Sequence, residues 1–337
     1  MCSGHSTIRR NAISSELVKT LNEVYSALGM RRRYEVWFVR MGLEDGSGAW
    51  WFRYLLMNPG RDGCSGGPSG MPVQVWATWF PRDAKPQSFI QGFPHERLKL
   101  SARGRNPFHL EIAENEIGEN FCRGNLSVDG HKICWDLQYG STFHVTLSNK
   151  GWIGFSRSPH SDALFSGRIT FDGRVFEGNP LGCGLQGHNC GYKHRSFWKW
   201  AHAYFSRQEG QPATTLEALV YDMPFGLIFR KAVLWHDGKQ HQFRNLQEIT
   251  KEPGQFAWNF RSSTKQGIKL EAHIDGGACL HRLSYLKTDC SGSFEVMNNS
   301  LAKATLRLQL PREPVETLET TTGAVLEMSA GQSQVRS

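Results

Sequence analysis

From Arg33 onward, apolar and polar residues alternate with a period of two in short runs broken by turn residues, a pattern that confines the chain to antiparallel strands. Tyr34-Glu35-Val36-Trp37-Phe38-Val39 is one run, Glu44-Asp45-Gly46-Ser47-Gly48 turns it, and Trp50-Trp51-Phe52-Arg53-Tyr54-Leu55-Leu56 returns. Further strands are expected at residues 73–80, 97–102, 108–113, 115–123, 132–139 and 166–171. A second series is expected at 196–205, 215–221, 227–236, 239–246, 255–262, 268–273, 283–288, 293–298 and 304–310. Short strands at this spacing build barrels or sandwiches. One helix stands apart: Ser14-Ser15-Glu16 opens it, Leu17, Leu21, Val24, Tyr25 and Leu28 recur at helical spacing, and Gly29 closes it.

With 337 residues the chain can bury two cores. The Gly/Pro-rich stretch 58–72 and the segment Ser158-Pro159-His160-Ser161 read as loops, and a Gly-rich segment at 178–191 reads as the divider between halves. The expected organisation is a helical extension over 1–30, one β domain over 31–180, a second over 181–328 and a disordered polar tail over 329–337. The pattern Phe108-His109-Leu110-Glu111-Ile112 echoes Ile268-Lys269-Leu270-Glu271-Ala272, compatible with tandem copies of one module.

The net charge of +8 is dispersed apart from Arg31-Arg32-Arg33, so it reads as a solvated surface, against nucleic-acid binding. Eight cysteines at irregular intervals, without a Cys-x-x-Cys pair or a leading secretory apolar segment, suggest reduced thiols and a cytoplasmic protein. No apolar run approaches the ~20 residues of a membrane span. Peripheral contact through the basic surface stays open. Phosphate-loop, dinucleotide, nucleophile-elbow and His-Glu-x-x-His motifs are absent, so the sequence calls for no cofactor.

The stretch with most chemistry is Gln186 to Phe205. Its first half, Gln186-Gly187-His188-Asn189-Cys190-Gly191, reads as a tight turn that brings an imidazole and an amide together. Its second half is a strand with Trp198, Trp200, His202 and Tyr204 on one face and Lys199, Ala201, Ala203 and Phe205 on the other. An aromatic face carrying an imidazole can hold an apolar ligand, move a proton and stabilise a developing cation. The same residues also suit an ordinary β core. Glu35, between aromatics, is either a buried acid or the cross-strand ion-pair partner of an arginine such as Arg53. Cys183, His188, Cys190 and His194 fall within twelve residues, but their spacing matches no common zinc module, so the expected site is metal-free.

Tyr34-Glu35-Val36-Trp37-Phe38 with Trp51-Phe52-Arg53-Tyr54, Ile133-Cys134-Trp135-Asp136-Leu137, the Gln186 to Gly191 block with Trp198 and Trp200, and Asn298-Asn299-Ser300-Leu301-Ala302 together resemble a known family. This is the lipocalin-like group of carotenoid 1,2-hydratase (hydroxyneurosporene synthase) and the AttH-like proteins. The resemblance implies two calycin-like β domains side by side, with a lipophilic ligand in one barrel or where the domains meet. Tocopherol cyclase and decalin-forming cyclases are similar in architecture. Cys190 stands where many relatives carry a bulky aromatic, and the 58–72 loop is particular to this chain, so the carotenoid substrate does not transfer.

The resulting expectation is a lyase or isomerase that folds a lipophilic polyene, terpenoid or polyketide for hydration, cyclisation or cycloaddition. The rival is a non-catalytic carrier. His188 and Asn189 would polarise or protonate the substrate and His202 would relay, with Glu35, Asp222 and Glu217 as candidate acids. Tyr34, Trp37, Trp51, Gln186, His194, Trp198, Trp200, Tyr204, Glu217 and Tyr221 would face the substrate.

Overall fold

A computed structural model describes residues 13–25, 33–58, 64, 67–101, 107–150, 154–192, 194–206, 212–249, 255–277 and 280–329. They form two large antiparallel sheets and one helix near the N-terminus, the two-domain lipocalin-like arrangement. Residues 330–337, expected as a tail, and residues 1–12 and 26–30 of the expected extension lie outside the described residues.

The first sheet begins as a meander of β1 (Arg33–Leu43), β2 (Gly48–Asn58), β3 (Val73–Pro81) and β4 (Gln87–Phe93). On the other side of β1 lie β12 (Arg174–Gly191), β11 (Gly154–Phe171), β9 (His131–Gly140), β8 (Phe121–Val128), β7 (Asn115–Gly118), β6 (His109–Ile112) and β5 (Leu98–Leu100), with β10 (Val145–Asn149) paired to β11. The second sheet repeats the plan. Its meander is β13 (Trp198–Phe205), β14 (Thr214–Asp222), β15 (Ile228–His236) and β16 (Lys239–Phe243). Then come β22 (Val315–Ser329), β21 (Ser293–Gln309), β19 (Lys269–Asp275), β18 (Ala257–Ser263) and β17 (Gln247–Glu248), with β20 (His281–Leu286) paired to β21. Tandem copies are therefore visible in topology. The sequence echo does not mark them, because the counterpart of β19 is β9 and not β6.

The Gly-rich 178–191 segment is no divider. It belongs to β12, whose register with β1 runs from Leu43↔Gly182 to Tyr34↔Gly191, so the seam between sheets falls between Gly191 and Trp198 instead of at residue 181. The reason is close packing: a Cβ on Gly187 would lie 2.2 Å from the Phe38 ring. Likewise residues 158–161 are not a loop but a bulged part of β11.

Each sheet encloses its own core, one around Trp37, Trp50, Phe52 and Trp135, the other around Ala203, Phe205, Trp258 and Phe260. A third cluster, including Phe38, Trp51, Phe143, Trp200, Leu219 and Tyr221, lies where the two sheets face each other. Arg40 crosses this seam fully buried, donating from Nη1 to Gly323 O (3.1 Å) and from Nη2 to Thr322 O and Ala324 O (both 2.8 Å) and to Ser300 O. Burial lowers its pKa to about 10, and carbonyls alone meet it. Gly42 permits this approach, since a Cβ there would lie 2.4 Å from Thr322 O.

The thiols are not all reduced. Cys64 and Cys290 form a disulfide that joins the β2–β3 connection of the first half to the β20–β21 turn of the second. Sequence spacing gave no hint of the pair because 226 residues separate the two positions. No helix among the described residues is long and apolar enough to cross a membrane.

Candidate functional site

Alternation along β1 and β12 sends their side chains two ways. Glu35, Trp37, Gln186 and His188 point into the first core, whereas Tyr34, Val36, Phe38 and Asn189 point toward the second sheet. The expected group of His188, Asn189 and Glu35 is thus divided between two compartments.

The inner compartment is filled by the N-terminal segment. Helix α1 (Ser15–Asn22), capped by Ser14, packs Val18 and Leu21 on the first half and stops earlier than its apolar spacing suggests. Its last carbonyls are taken by the sheet: His188 Nδ1 donates to Leu21 O (2.8 Å) and Trp37 Nε1 to Asn22 O (3.1 Å). Asn22 and Gln186 exchange side-chain bonds at 3.3 and 2.9 Å. Glu35 Oε1 receives the Tyr25 N–H at 2.8 Å and meets His188 Nε2 at 2.8 Å. His188 is stacked on Trp37 at 4.4 Å, and both His188 and Glu35 are inaccessible to solvent. The pair holds the segment in place, and neither residue is among those that line the cavity between the sheets.

The cavity lies in the outer compartment, between the sheets, with a volume of about 180 Å³. Tyr34, Trp51, Asn189, His194, Trp198, Trp200 and Tyr221, all expected at the substrate, line it. An ionised, hydrogen-bonded network forms part of this largely aromatic wall. Arg53 of β2 is not the partner of Glu35; it lies over Trp51 at 3.9 Å and forms a salt bridge with Glu327 of β22 at 3.3 Å. It also donates to the Tyr285 hydroxyl, which in turn donates to Glu327 at 3.2 Å. Asn298 Nδ2 (3.1 Å) and Trp198 Nε1 (3.3 Å) complete the donors to Glu327. Burial holds the Tyr285 hydroxyl well above the usual tyrosine pKa, so it stays a donor. Arg53, Tyr285 and Glu327 were not singled out from sequence as a site, because they come from three distant strands.

Two polar atoms in the wall, Asn189 Oδ1 and His194 Nδ1, both shielded from solvent, have no hydrogen-bond partner among the described residues. His194 stacks on Tyr34 at 4.1 Å, and burial lowers its pKa to about 3, so it is a neutral imidazole at ordinary pH.

The other expected residues sit behind or beside the wall. Glu217 is buried under Trp200 and accepts from Trp200 Nε1 (3.2 Å) and from Ser158 Oγ (2.8 Å), and burial raises its pKa to about 7. His202 Nε2 donates to Ser161 O (2.8 Å), its Nδ1 has no partner, and burial lowers its pKa to about 3. Tyr204 is buried further along β13. Asp222 fixes the start of β13, accepting from Ser196 Oγ (2.7 Å) and Phe197 N (2.9 Å). Cys183, His188, Cys190 and His194 do not converge, and no group of three or more metal-ligating side chains occurs among the described residues.

Neither a protein-family model nor a curated protein matches the sequence. Solved structures do match the fold. The structure of CghA with Sch210972 has a TM-score of 0.58 at 12% identity, covering 88% of each chain. Kievitone hydratase from Nectria haematococca has 0.53 at 11%, covering 97% of this chain and 95% of its own. An AttH-type protein from Nitrosomonas europaea has 0.50 at 14%, covering 90% and 95%. These identities establish a shared fold, the lipocalin-like one that the sequence motifs resemble.

Proposed function

We propose that the protein is a cofactor-independent lyase or isomerase that folds a lipophilic small molecule in the cavity between its sheets. The observation that carries this reading is the hydrogen-bonded ionised network of Arg53, Tyr285 and Glu327 set in a cavity wall rich in aromatic side chains. A catalytic similarity is suggested by a hydratase and CghA sharing the fold.

The aromatic walls fold an unsaturated chain and supply orientation, which can contribute several kcal/mol. Arg53, clamped over Trp51 and tied to Glu327, is preorganised to donate to a substrate carbonyl or hydroxyl oxygen, while the Tyr285 hydroxyl, which accepts from Arg53 and donates to Glu327, holds the guanidinium in place. Withdrawing electrons from an oxygen conjugated with a double bond prepares that bond for addition of water or for ring closure. Asn189 Oδ1 suits a hydroxyl or N–H on the same substrate and His194 Nδ1 a hydroxyl, which can donate or accept, since each would otherwise stay buried without a partner. His188, Glu35 and Asp222 have no part in this scheme. Glu217 and His202 support Trp200 and the seam from behind.

The test uses candidate conjugated polyenes, phenols and enols, followed by absorbance and product mass, with wild type, Tyr285→Phe and Arg53→Gln. The expected result is turnover in wild type that falls about 100-fold or more in Arg53→Gln, with Tyr285→Phe intermediate and ligand-induced thermal stabilisation retained. Stabilisation of all three proteins without any chemical change in wild type establishes a carrier instead.

A further inference from the structure

The connection between β14 and β15 ends in a feature that the fold itself does not use. Phe225, at its apex, is 100% exposed, and Leu227 is 57% exposed. Phe225 is held in the left-handed region (φ 64°, ψ 27°), which a bulky residue rarely adopts, and Gly226 follows at φ 73°. Met223 N donates to Leu227 O at 2.7 Å, closing the base of the turn and keeping its apex fixed outward. A glycine would take this conformation without strain, and the fully exposed phenyl ring gains no packing within the fold to offset it.

The base of the turn adjoins the cavity and is basic. Phe229 stacks on Tyr221 at 4.7 Å, and Tyr221 lines the cavity. Lys150 Nζ lies 5.6 Å from the Phe229 ring and Arg195 Cζ lies 5.2 Å from the Tyr221 ring, and both residues also line the cavity. Arg230 is exposed just beyond. The acid on this turn, Asp222, already receives the Ser196 hydroxyl and the Phe197 N–H.

We propose that the turn around Phe225 is a membrane-docking finger: Phe225 and Leu227 enter the interface of an anionic bilayer while Lys150, Arg195 and Arg230 meet its headgroups, bringing the cavity to the membrane surface. Two protruding side chains fall far short of the ~1,200 Å² a stable protein interface buries, but an exposed aromatic and leucine on a turn with a basic base is the combination that bilayer interfaces bind. A membrane is also where a lipophilic substrate accumulates, a link that rests on the reading of the cavity given above.

Co-sedimentation of the ligand-free protein with phosphatidylcholine/phosphatidylglycerol vesicles (7:3) and with phosphatidylcholine vesicles tests this. Wild type should pellet with the mixed vesicles and more weakly with phosphatidylcholine alone. Phe225→Asp should lose about tenfold or more in partitioning while keeping the wild-type melting curve, because the ring touches nothing. Phe225→Trp should blue-shift on mixed vesicles and be quenched by brominated lipid. The proposal is overturned if wild type stays in the supernatant or Phe225→Asp pellets equally. It is also overturned if wild type self-associates through this turn without binding vesicles. The assay contains no substrate, so its failure leaves the cavity reading standing, and vesicle binding without turnover would overturn only that reading.

Discussion

His188 and Glu35 look catalytic in the sequence because an imidazole and a carboxyl sit among aromatics, yet their partners are backbone groups of the N-terminal segment. Nδ1 faces the Leu21 carbonyl, and Nε2 faces the Glu35 carboxyl. His188→Ala removes the ring that meets that buried carboxyl and should cost about 3 kcal/mol, read by urea unfolding, while activity per folded molecule is unchanged. A fully folded but inactive His188→Ala would return catalysis to the inner compartment. Glu217 gives a pH signature. Its folded pKa of about 7 lies above the ordinary carboxyl value, so the folded state holds a proton that the unfolded state has lost. Its contribution to stability is therefore complete below the unfolded value and declines as pH rises toward about 7. Glu217→Gln keeps a neutral side chain at every pH, so its urea midpoint should vary less than that of wild type between pH 4.5 and 8. An equal decline in both proteins would rule out Glu217 as the source.

Among the elements, α1 behaves as a plug with polar fastenings. Asn22→Ala removes a reciprocal amide pair and takes the Asn22 donor from Gln186 Oε1, while Gln186 Nε2 keeps the Gly187 carbonyl, so a loss of about 1–3 kcal/mol is expected, with more dye-accessible apolar surface in the first half. An unchanged unfolding curve would show that apolar packing of Val18 and Leu21 suffices. The elements also show what could be read in advance. The facing of β13 was legible because alternation is local: Ala201, Ala203 and Phe205 enter the second core while Trp200 joins the cluster between the sheets. β12 was not legible, since glycine density resembles a loop until the Phe38 ring is seen over Gly187. Tyr34, Trp51, Trp198, Trp200 and Tyr221, which line the cavity, stand in or beside aromatic-rich strands of the sequence, and Asn189 and His194 in the glycine-rich segment before β13. The Arg53–Glu327 pole was hidden, because strand register between residues 274 apart is set by the assembled sheets and not by neighbours in sequence.

At the scale of the molecule, the cavity exists only while the two halves face each other. Arg40 in its carbonyl cage, the Arg53–Glu327 bridge and the Cys64–Cys290 bond all span the seam. Chain-entropy reasoning for so long a closed loop gives the disulfide an upper bound of about 5 kcal/mol. A ligand held between the halves binds only the docked form and adds RT ln(1 + [L]/Kd), about 2.7 kcal/mol at 100 times Kd. Cys64→Ser with Cys290→Ser should therefore lower the melting temperature, and saturating ligand should recover part of the loss. The double variant should also bind that ligand more weakly, because some binding free energy is then spent on docking the halves. Thermal melts and titration calorimetry on wild type and the double variant measure all three effects. If affinity is unchanged while the melting temperature drops, the disulfide stabilises a seam that Arg40 and the Arg53–Glu327 bridge already close without it.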